Sequence, residues 1–597
     1  MPRISFLAGC LPQLRGRRIF SAVAVLGLLA AGLGVPAGGA ATRFATGPTV
    51  TRTTLRNGLR VVVVENHALP LAQVAMWYRF GSAGDPPGRA GVAHALEHMM
   101  FRGTHALSGT ALDLVTARFG MDVNAETDHE YTHYYQTGPV DAVPLALDIE
   151  ADRMRGLRLD PRDWNLERQA VLAELADSDW SDAGNLEDDV RRIAFGTSPL
   201  RHDPGGSPAE VRRISVSDLR RAYDAGYQPS NATLVVTGDV DPRVIFGLAQ
   251  ADFGSIRGRP AVQLPSSEPI VARGFSLRRR ALTSNVVDIA LESRGEAAPG
   301  SAEEVAIELL QSWHAVLPEL IVDHGPCSSY DADVDLQLHG GLIHVLCYLN
   351  YRTSAGDAIR RLRRAFRRLD AHVTSRDIAY ARRTDVAETR YTDDSLTDEA
   401  DLFGETIADQ NTDPRLFDLE TASVSDAAVR AVLRRWTTPV GFGAAVGARG
   451  YRSEPHPRKP RSERVAPAPL EAIVAPPWAR ALPGPLRTPR TPRVETFVLP
   501  SGVRLFVAPR HGNETVYVRG GFDDPDEFGF ASATVRRVAE QHAILIDSDN
   551  ELNMHGFAHD LPLMISFVAD MLRPDESGIP VRNGPLRRRL RRKSGSL

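Results

Sequence analysis

Apolar and polar residues recur with two different periods along the first 260 positions, and the periods assign the elements. Thr53, Thr54 and Leu55 precede the pair Asn57-Gly58, and Val61, Val62, Val63 and Val64 follow it. An Asn-Gly pair between such runs is a tight-turn signal, so the pattern predicts a hairpin or strand entry there and a further strand over 73–80. The spacing then becomes helical over 91–102, 110–119, 142–157 and 161–176, interrupted by predicted strands near 121–125 and 132–137. Strands and helices mix without strict alternation, which is the pattern of an α+β fold.

Two echoes point to internal repetition. Ser215-Val216-Ser217-Asp218 stands before a helical pattern and the strand pattern 233–237, and Ser423-Val424-Ser425-Asp426 stands before a helical pattern and 440–446. Asn57-Gly58-Leu59-Arg60-Val61 is matched loosely by Ser501-Gly502-Val503-Arg504-Leu505, 444 residues later. Together they suggest units of roughly 200 residues, the size of one domain, starting near 50, near 273 and near 494. The organisation expected is a leader over 1–41, a first domain over 50–256, a second over 273–450, a Pro/Arg-rich linker over 451–493, part of a third repeat over 494–570, and a basic, solvated tail over 571–597.

Composition narrows the class. The 597 residues carry a formal net charge of -4, so no general electrostatic attraction to nucleic acid exists and function must come from a local site. Arg15, Arg17 and Arg18 precede an apolar run over 19–35 and small residues over 37–41, the order of a secretory signal peptide. A membrane-anchoring helix is the alternative, and either reading places the protein outside the cytoplasm, in the periplasm or beyond. Past the leader only Cys327 and Cys347 remain. They form one disulfide or stay as buried thiols, and the thiol reading is preferred because Cys347 lies inside the apolar run 341–349.

The chemistry concentrates in His94-Ala95-Leu96-Glu97-His98. On a helix, positions 94, 97 and 98 share a face, so two imidazoles reach one ion while Glu97 reaches its water. The bland alternative is a structural helix with solvated charges. Glu167 and Glu174, seven residues apart on the 161–176 helix, share a face as well. One can bind the metal and the other can orient a ligand, although such a pair is more often a solvated face.

The run Gly91-Val92-Ala93-His94-Ala95-Leu96-Glu97-His98-Met99-Met100-Phe101-Arg102-Gly103-Thr104 resembles the metal helix of the pitrilysin/insulinase peptidases, the inverzincins. The resemblance continues through Asn124-Ala125-Glu126-Thr127 and Glu167-Arg168-Gln169-Ala170-Val171-Leu172-Ala173-Glu174, and through Tyr227-Gln228-Pro229-Ser230-Asn231-Ala232. It is strong over 50–256 and weak from there to 570. It implies one Zn2+ per chain bound by His94, His98 and Glu174, with Glu97 as general base and Glu167 supporting a ligand. It also implies that Asn124, Ala125 and Glu126 lie on an edge strand that pairs with a peptide substrate. The fold implied repeats an antiparallel sheet flanked by helices, two repeats forming a half and two halves enclosing a chamber.

The sequence departs from that family in its last part. An Arg and a Tyr that the family's second half supplies find no match, and the 444-residue offset carries His94 and Glu97 onto Val538 and Gln541, so no second zinc is expected. Nearby His542 reads as an ordinary histidine. In the second domain His324, His339 and His344 lack ligand spacing, and the runs 360–368 and Arg382-Arg383 read as solvated faces. The function expected is secreted zinc endopeptidase action on peptides or unfolded segments, aided by a homodimer or a separate partner subunit. The alternatives are a peptide-binding pseudo-peptidase half and a closed structural zinc domain.

Overall fold

The computed structural model describes residues 49–178, 182–258, most of 270–447, the stretch 474–480 and parts of 494–571. The leader, most of the linker, His339 and the tail beyond Met571 lie outside the described residues. Residues 46–490 form one compact unit, and the described parts of 494–571 belong to another.

The first sheet assembles β1 (Thr49–Thr54), β2 (Arg60–Glu65), β3 (Leu71–Tyr78), β4 (Asp122–Thr127), β5 (Thr132–Pro139) and β6 (Ala232–Gly238) in the order β1-β2-β6-β3-β5-β4. The Asn57-Gly58 turn joins β1 to β2, with Gly58 at φ 95°. β6 is buried at all seven positions because it is bonded on both edges and covered on both faces. On the inner face Val61, Val63, Val74 and Met76 meet α1 (Val92–Met100), α3 (Val143–Gly156), α4 (Pro161–Ser178), α6 (Val216–Gly226) and α7 (Pro242–Phe253). α2 (Gly109–Phe119) leads into β4, closed by Gly120 in the left-handed region.

The second sheet follows the order β10-β11-β9-β12-β7, built from β7 (Phe275–Ser276), β9 (Val286–Ser293), β10 (Cys327–Asp335), β11 (Gly341–Leu349) and β12 (Gly441–Gly447), with β8 (Arg279–Ala281) also on β12. Its inner face packs on α8 (Ala302–Gln311), α9 (Ala355–Phe366), α10 (Ser375–Tyr391) and α12 (Asp426–Trp436).

Each sheet receives a helix from the other part of the sequence. α5 (Asp182–Phe195) follows the first domain's helices in the chain, yet Leu186, Val190 and Ala194 pack on Val286, Ala290, Leu342, Leu346 and Ala445 of the second sheet. In return α11 (Leu396–Gly404) lies over the outer face of the first sheet, where Phe403 meets Val62, Val64, Ala75, Trp77 and Val235. Polar pairs pin it: Asn66 Nδ2 donates to Glu399 Oε2 (2.5 Å) and Gln73 Nε2 to Asp401 Oδ1 (3.2 Å). With the exchange, the central strands of both sheets, β3 and β6 in the first and β9 and β11 in the second, are buried at nearly every position.

Four expectations need correction. The first sheet is not wholly antiparallel, because the chain crosses over before it returns as β6, which therefore runs parallel to β2. In the second sheet β7 and β8 are likewise parallel to β12. Cys327 and Cys347 are not free thiols but a disulfide: a register shift next to Cys327 brings the Cα atoms of the two neighbouring strands to 5.3 Å. Arg382 is not a solvated charge, since it donates to Val424 O (3.0 Å) and Asp426 Oδ1 (2.5 Å) and ties α10 to the start of α12. Reduction of the disulfide, or its replacement by alanines, is expected to cost about 3 kcal/mol for a loop of this size, read as a lower denaturant midpoint than the oxidised wild type.

The last described segment contains a hairpin of β13 (Glu495–Val498) and β14 (Arg504–Val507), then a sheet in the order β15-β17-β16 from β15 (Thr515–Gly520), β16 (Leu545–Asp547) and β17 (Leu552–Phe557), with α13 (Leu561–Met571) packed on it.

Candidate metal centre

α1 starts where Gly91 turns the chain at φ 93°, and a Cβ there would lie 2.5 Å from Gly205 O. Only glycine therefore fits both the left-handed conformation and the close approach. The Asp85 carboxylate accepts the N–H groups of Gly91 (2.6 Å), Val92 (3.1 Å) and Ala93 (2.8 Å), satisfying three donors that a helix start leaves open. Val92, Ala93, Ala95, Leu96, Met99 and Met100 are all buried, so the hydrophobic stripe sets the rotation of α1 and leaves His94, Glu97 and His98 on the remaining face.

α4 lies beside α1 and brings both acids to that face. His98 Nε2 is 3.1 Å from Glu174 Oε2, and His94 Nε2 is 3.6 Å from Glu174 Oε1. The ligand atoms of His94, His98 and Glu174 all fall within 4.8 Å of one another, and among the described residues no other group of His, Cys, Asp and Glu converges in this way. Glu167 Oε2 meets the opposite nitrogen, His98 Nδ1, at 3.2 Å, while its Oε1 pairs with the Arg102 guanidinium. The chain Arg102–Glu167–His98 leaves Nε2 as the nitrogen aimed at Glu174.

Electrostatics follow from these contacts. Burial works against a charged His98, but the hydrogen bonds to Glu167 and Glu174 and the charge of Glu97 prevail, and its pKa is raised to about 9. The bonds to His94 and His98 hold the Glu174 carboxyl well below its ordinary range. Burial opposes the Glu167 carboxylate as well, yet His98 and Arg102 keep it ionised below the usual value.

The donor set fits zinc. Two imidazole nitrogens and one carboxylate oxygen converge from two packed helices, and the Glu174 side chain is 55% exposed, so the fourth side is open to water and substrate. That composition and openness differ from a closed four-ligand structural site.

Glu97 points from the same face toward β4, where Thr127 Oγ1 donates to Glu97 Oε2. β4 is the edge of the sheet. Asn124 and Glu126 are exposed on it, and Ala125 is half-buried toward the helices. Burial and the charge of Glu97 raise the Glu126 pKa. The structure therefore gathers His94, His98, Glu97, Glu167 and Glu174 at one place, with residues 124–126 along its border.

Three contributors carried no assigned role in the sequence reading: Thr127, Arg102 and Asp85. Arg102 could have been found, since it stands one helical turn after His98; the other two meet α1 only through tertiary packing. Glu167→Gln is expected to weaken metal affinity by about 10- to 100-fold, as loss of a ligand-orienting carboxylate does, checked by competition with a zinc chelator.

Residues 60–203 match the family model of insulinase, peptidase family M16, and residues 213–384 match that of the M16 inactive domain. A zinc protease of Streptomyces coelicolor is 29% identical over 225 residues, 38% of this chain and 48% of its own length. The mitochondrial-processing peptidase subunit beta of Lentinula edodes is 32% identical over 216 residues, 36% of this chain and 46% of its own. This chain thus spans about half the length of these curated relatives. A solved structure of a Helicobacter pylori protease superimposes with a TM-score of 0.61 over 67% of this chain and 99% of that one, at 21% identity, a likeness of fold. The two family models together cover more than half of the 597 residues, and the chain belongs to the insulinase family of peptidases, M16.

Proposed function

We propose that this chain is an exported zinc-dependent endopeptidase acting on peptides or unfolded segments. The observation that carries the reading is the convergence of His94, His98 and Glu174 beside Glu97 at an open position. A zinc ion bound there would supply Lewis acidity, polarising the scissile carbonyl and acidifying water. Glu97 would accept the proton of the attacking water and pass it to the leaving amine, so no covalent intermediate is needed. Thr127 would hold the Glu97 carboxylate in line by its hydrogen bond. The free edge of β4 would receive an extended peptide by backbone hydrogen bonds, which bind many sequences alike.

A second reading draws on the second family match. Residues 213–384 match a domain type described as inactive. On this reading the chain would bind peptide and zinc as a pseudo-peptidase half, and a second copy or a partner subunit would supply the oxyanion donor, a group whose loss costs about 100- to 1000-fold in rate. Export rests on the order of residues in the leader; among the described residues no helix is long and apolar enough to cross a membrane.

The test is cleavage of a quenched unstructured peptide by purified protein, chelated and then resupplied with zinc, with mass followed by light scattering. The peptidase reading expects activity that disappears on chelation and returns with about one zinc per chain, as a site with three protein ligands holds. Zinc uptake without cleavage at any oligomeric state would leave the pseudo-peptidase reading in its place.

A further inference from the structure

α9 buries one face in the second sheet's core and crowds arginines on the other. Ile359, Leu362 and Phe366 are buried, whereas Arg360, Arg363, Arg364, Arg367 and Arg368 are exposed. Spacings of three, four, seven and eight residues put these five on one side of the helix and its closing turn. Arg278, also exposed, joins them from outside the helix: a Cβ added to Gly356 would lie 3.0 Å from Arg278 Nη2 and 3.7 Å from Arg360 Nη1. Among the described residues Asp357, 3.2 Å from Arg360, is the one carboxylate that pairs with any of the six. Arg363 lies over the Phe442 ring (4.8 Å) and Arg367 Nε donates to Arg363 O (3.1 Å), contacts that leave both charges in place. The crowding works against the helix, because Arg360 and Arg364, Arg363 and Arg367, and Arg364 and Arg368 are like charges four residues apart. The helix dipole favours cations at the last turn, but Arg278 stands beside the first. With a net charge of -4 on the whole chain, the stripe is a local excess rather than general basicity.

We infer that this face docks on an anionic membrane, its arginines lying against phospholipid headgroups. The planar guanidinium fork matches phosphate oxygens. From Arg360 to Arg368 the stripe follows about 12 Å of helix, too long for one free phosphate to meet and well suited to a layer of headgroups. A folded protein partner fits less well, since α9 exposes no large apolar residue to form the centre that stable interfaces bury. Tyr351, 88% exposed between β11 and α9, is an aromatic of the kind that settles at a membrane–water boundary. Nucleic acid also presents rows of phosphates, and the choice of a membrane over it rests on the export reading. The stripe uses none of the metal-site residues, so the inference stands apart from the peptidase reading.

The test is flotation of the full chain with vesicles of phosphatidylcholine alone or of an equal mixture with phosphatidylglycerol, at low and at high salt. Binding to the mixed vesicles is expected to exceed binding to the neutral ones, and the excess to vanish at high salt, where exposed charges are screened. Changing Arg360, Arg364, Arg367 and Arg368 together to glutamine should weaken that excess binding at least about 100-fold, since each guanidinium near an anionic surface contributes about fivefold. The same four positions changed to lysine keep the charge and should keep most of the binding. Both variants should unfold no earlier than the wild type, as exposed positions allow. No gain from phosphatidylglycerol, equal loss in the glutamine and lysine variants, loss only when the basic residues of 587–593 are replaced instead, or tighter binding to a DNA duplex at the same salt would each overturn the proposal.

Discussion

Glu97→Gln is expected to lower turnover of an unstructured peptide by about 100- to 10,000-fold, the range for loss of a general base, with zinc content unchanged. The substitution keeps the shape of the side chain, and an amide oxygen can still accept the hydrogen bond from Thr127 Oγ1, so α1 and its imidazoles have no reason to move. What disappears is the capacity to take a proton. Glu97 is not among the three groups whose ligand atoms converge, hence the expected retention of metal. Glu174→Gln should behave differently. It removes the charge that both imidazoles face and should lose zinc and activity together. The pair of variants, assayed for kcat and for zinc stoichiometry, separates base from ligand. Wild-type turnover by Glu97→Gln would remove Glu97 from the mechanism.

Trp77→Ala is expected to destabilise residues 46–490 by about 3–5 kcal/mol, the usual cost of truncating a buried large aromatic. Trp77 is 2% exposed at the centre of the first sheet's outer face, with ring centroids of Tyr131 at 5.0 Å and His133 at 4.0 Å. Its indole also meets Gly404 at the end of α11 so closely that an added Cβ would lie 2.4 Å from the ring. The variant leaves a cavity under a helix that other parts of the chain must deliver, so hydrogen exchange should quicken first over 396–404. Equal exchange there, with a lowered urea midpoint, would mean that Trp77 stabilises its own sheet but does not hold α11. The same layer should be acid-sensitive. Burial lowers the His133 pKa to about 4, so as pH falls from about 6.5 toward that value the unfolded chain binds a proton that the folded one does not, and stability declines.

Much of the site was legible because its determinants are local. The spacing of His94, Glu97 and His98, and of Glu167 and Glu174, is a property of two helices. Helix periodicity places those residues on one face of each before any packing is known. The elements predicted over 91–102, 110–119, 142–157 and 161–176 agree with α1–α4 to within a few residues at their ends, the range over which helix termini fray. Thr127 and Asp85 were not legible as partners of α1, because each reaches it from a separate segment and its residue type is equally at home in a loop. The disulfide was missed for a related reason. Spacing alone does not say whether two cysteines on neighbouring strands stand close enough to bond, and the register shift beside Cys327 settles it.

By itself, then, the sequence determined the α+β character, the helix that carries His94, Glu97 and His98 on one face with its acidic partner helix, and the family. These follow from periodicity and from residues close together in the chain. Tertiary structure decided what depends on distant segments meeting. It set the parallel return of β6 into the middle of the first sheet and the pairing of Cys327 with Cys347. It also set the exchange by which α5 and α11 each cover the other domain's sheet. An apolar stripe says that a helix must be buried, but not against which sheet, since the hydrophobic effect rewards area removed from water and carries no address.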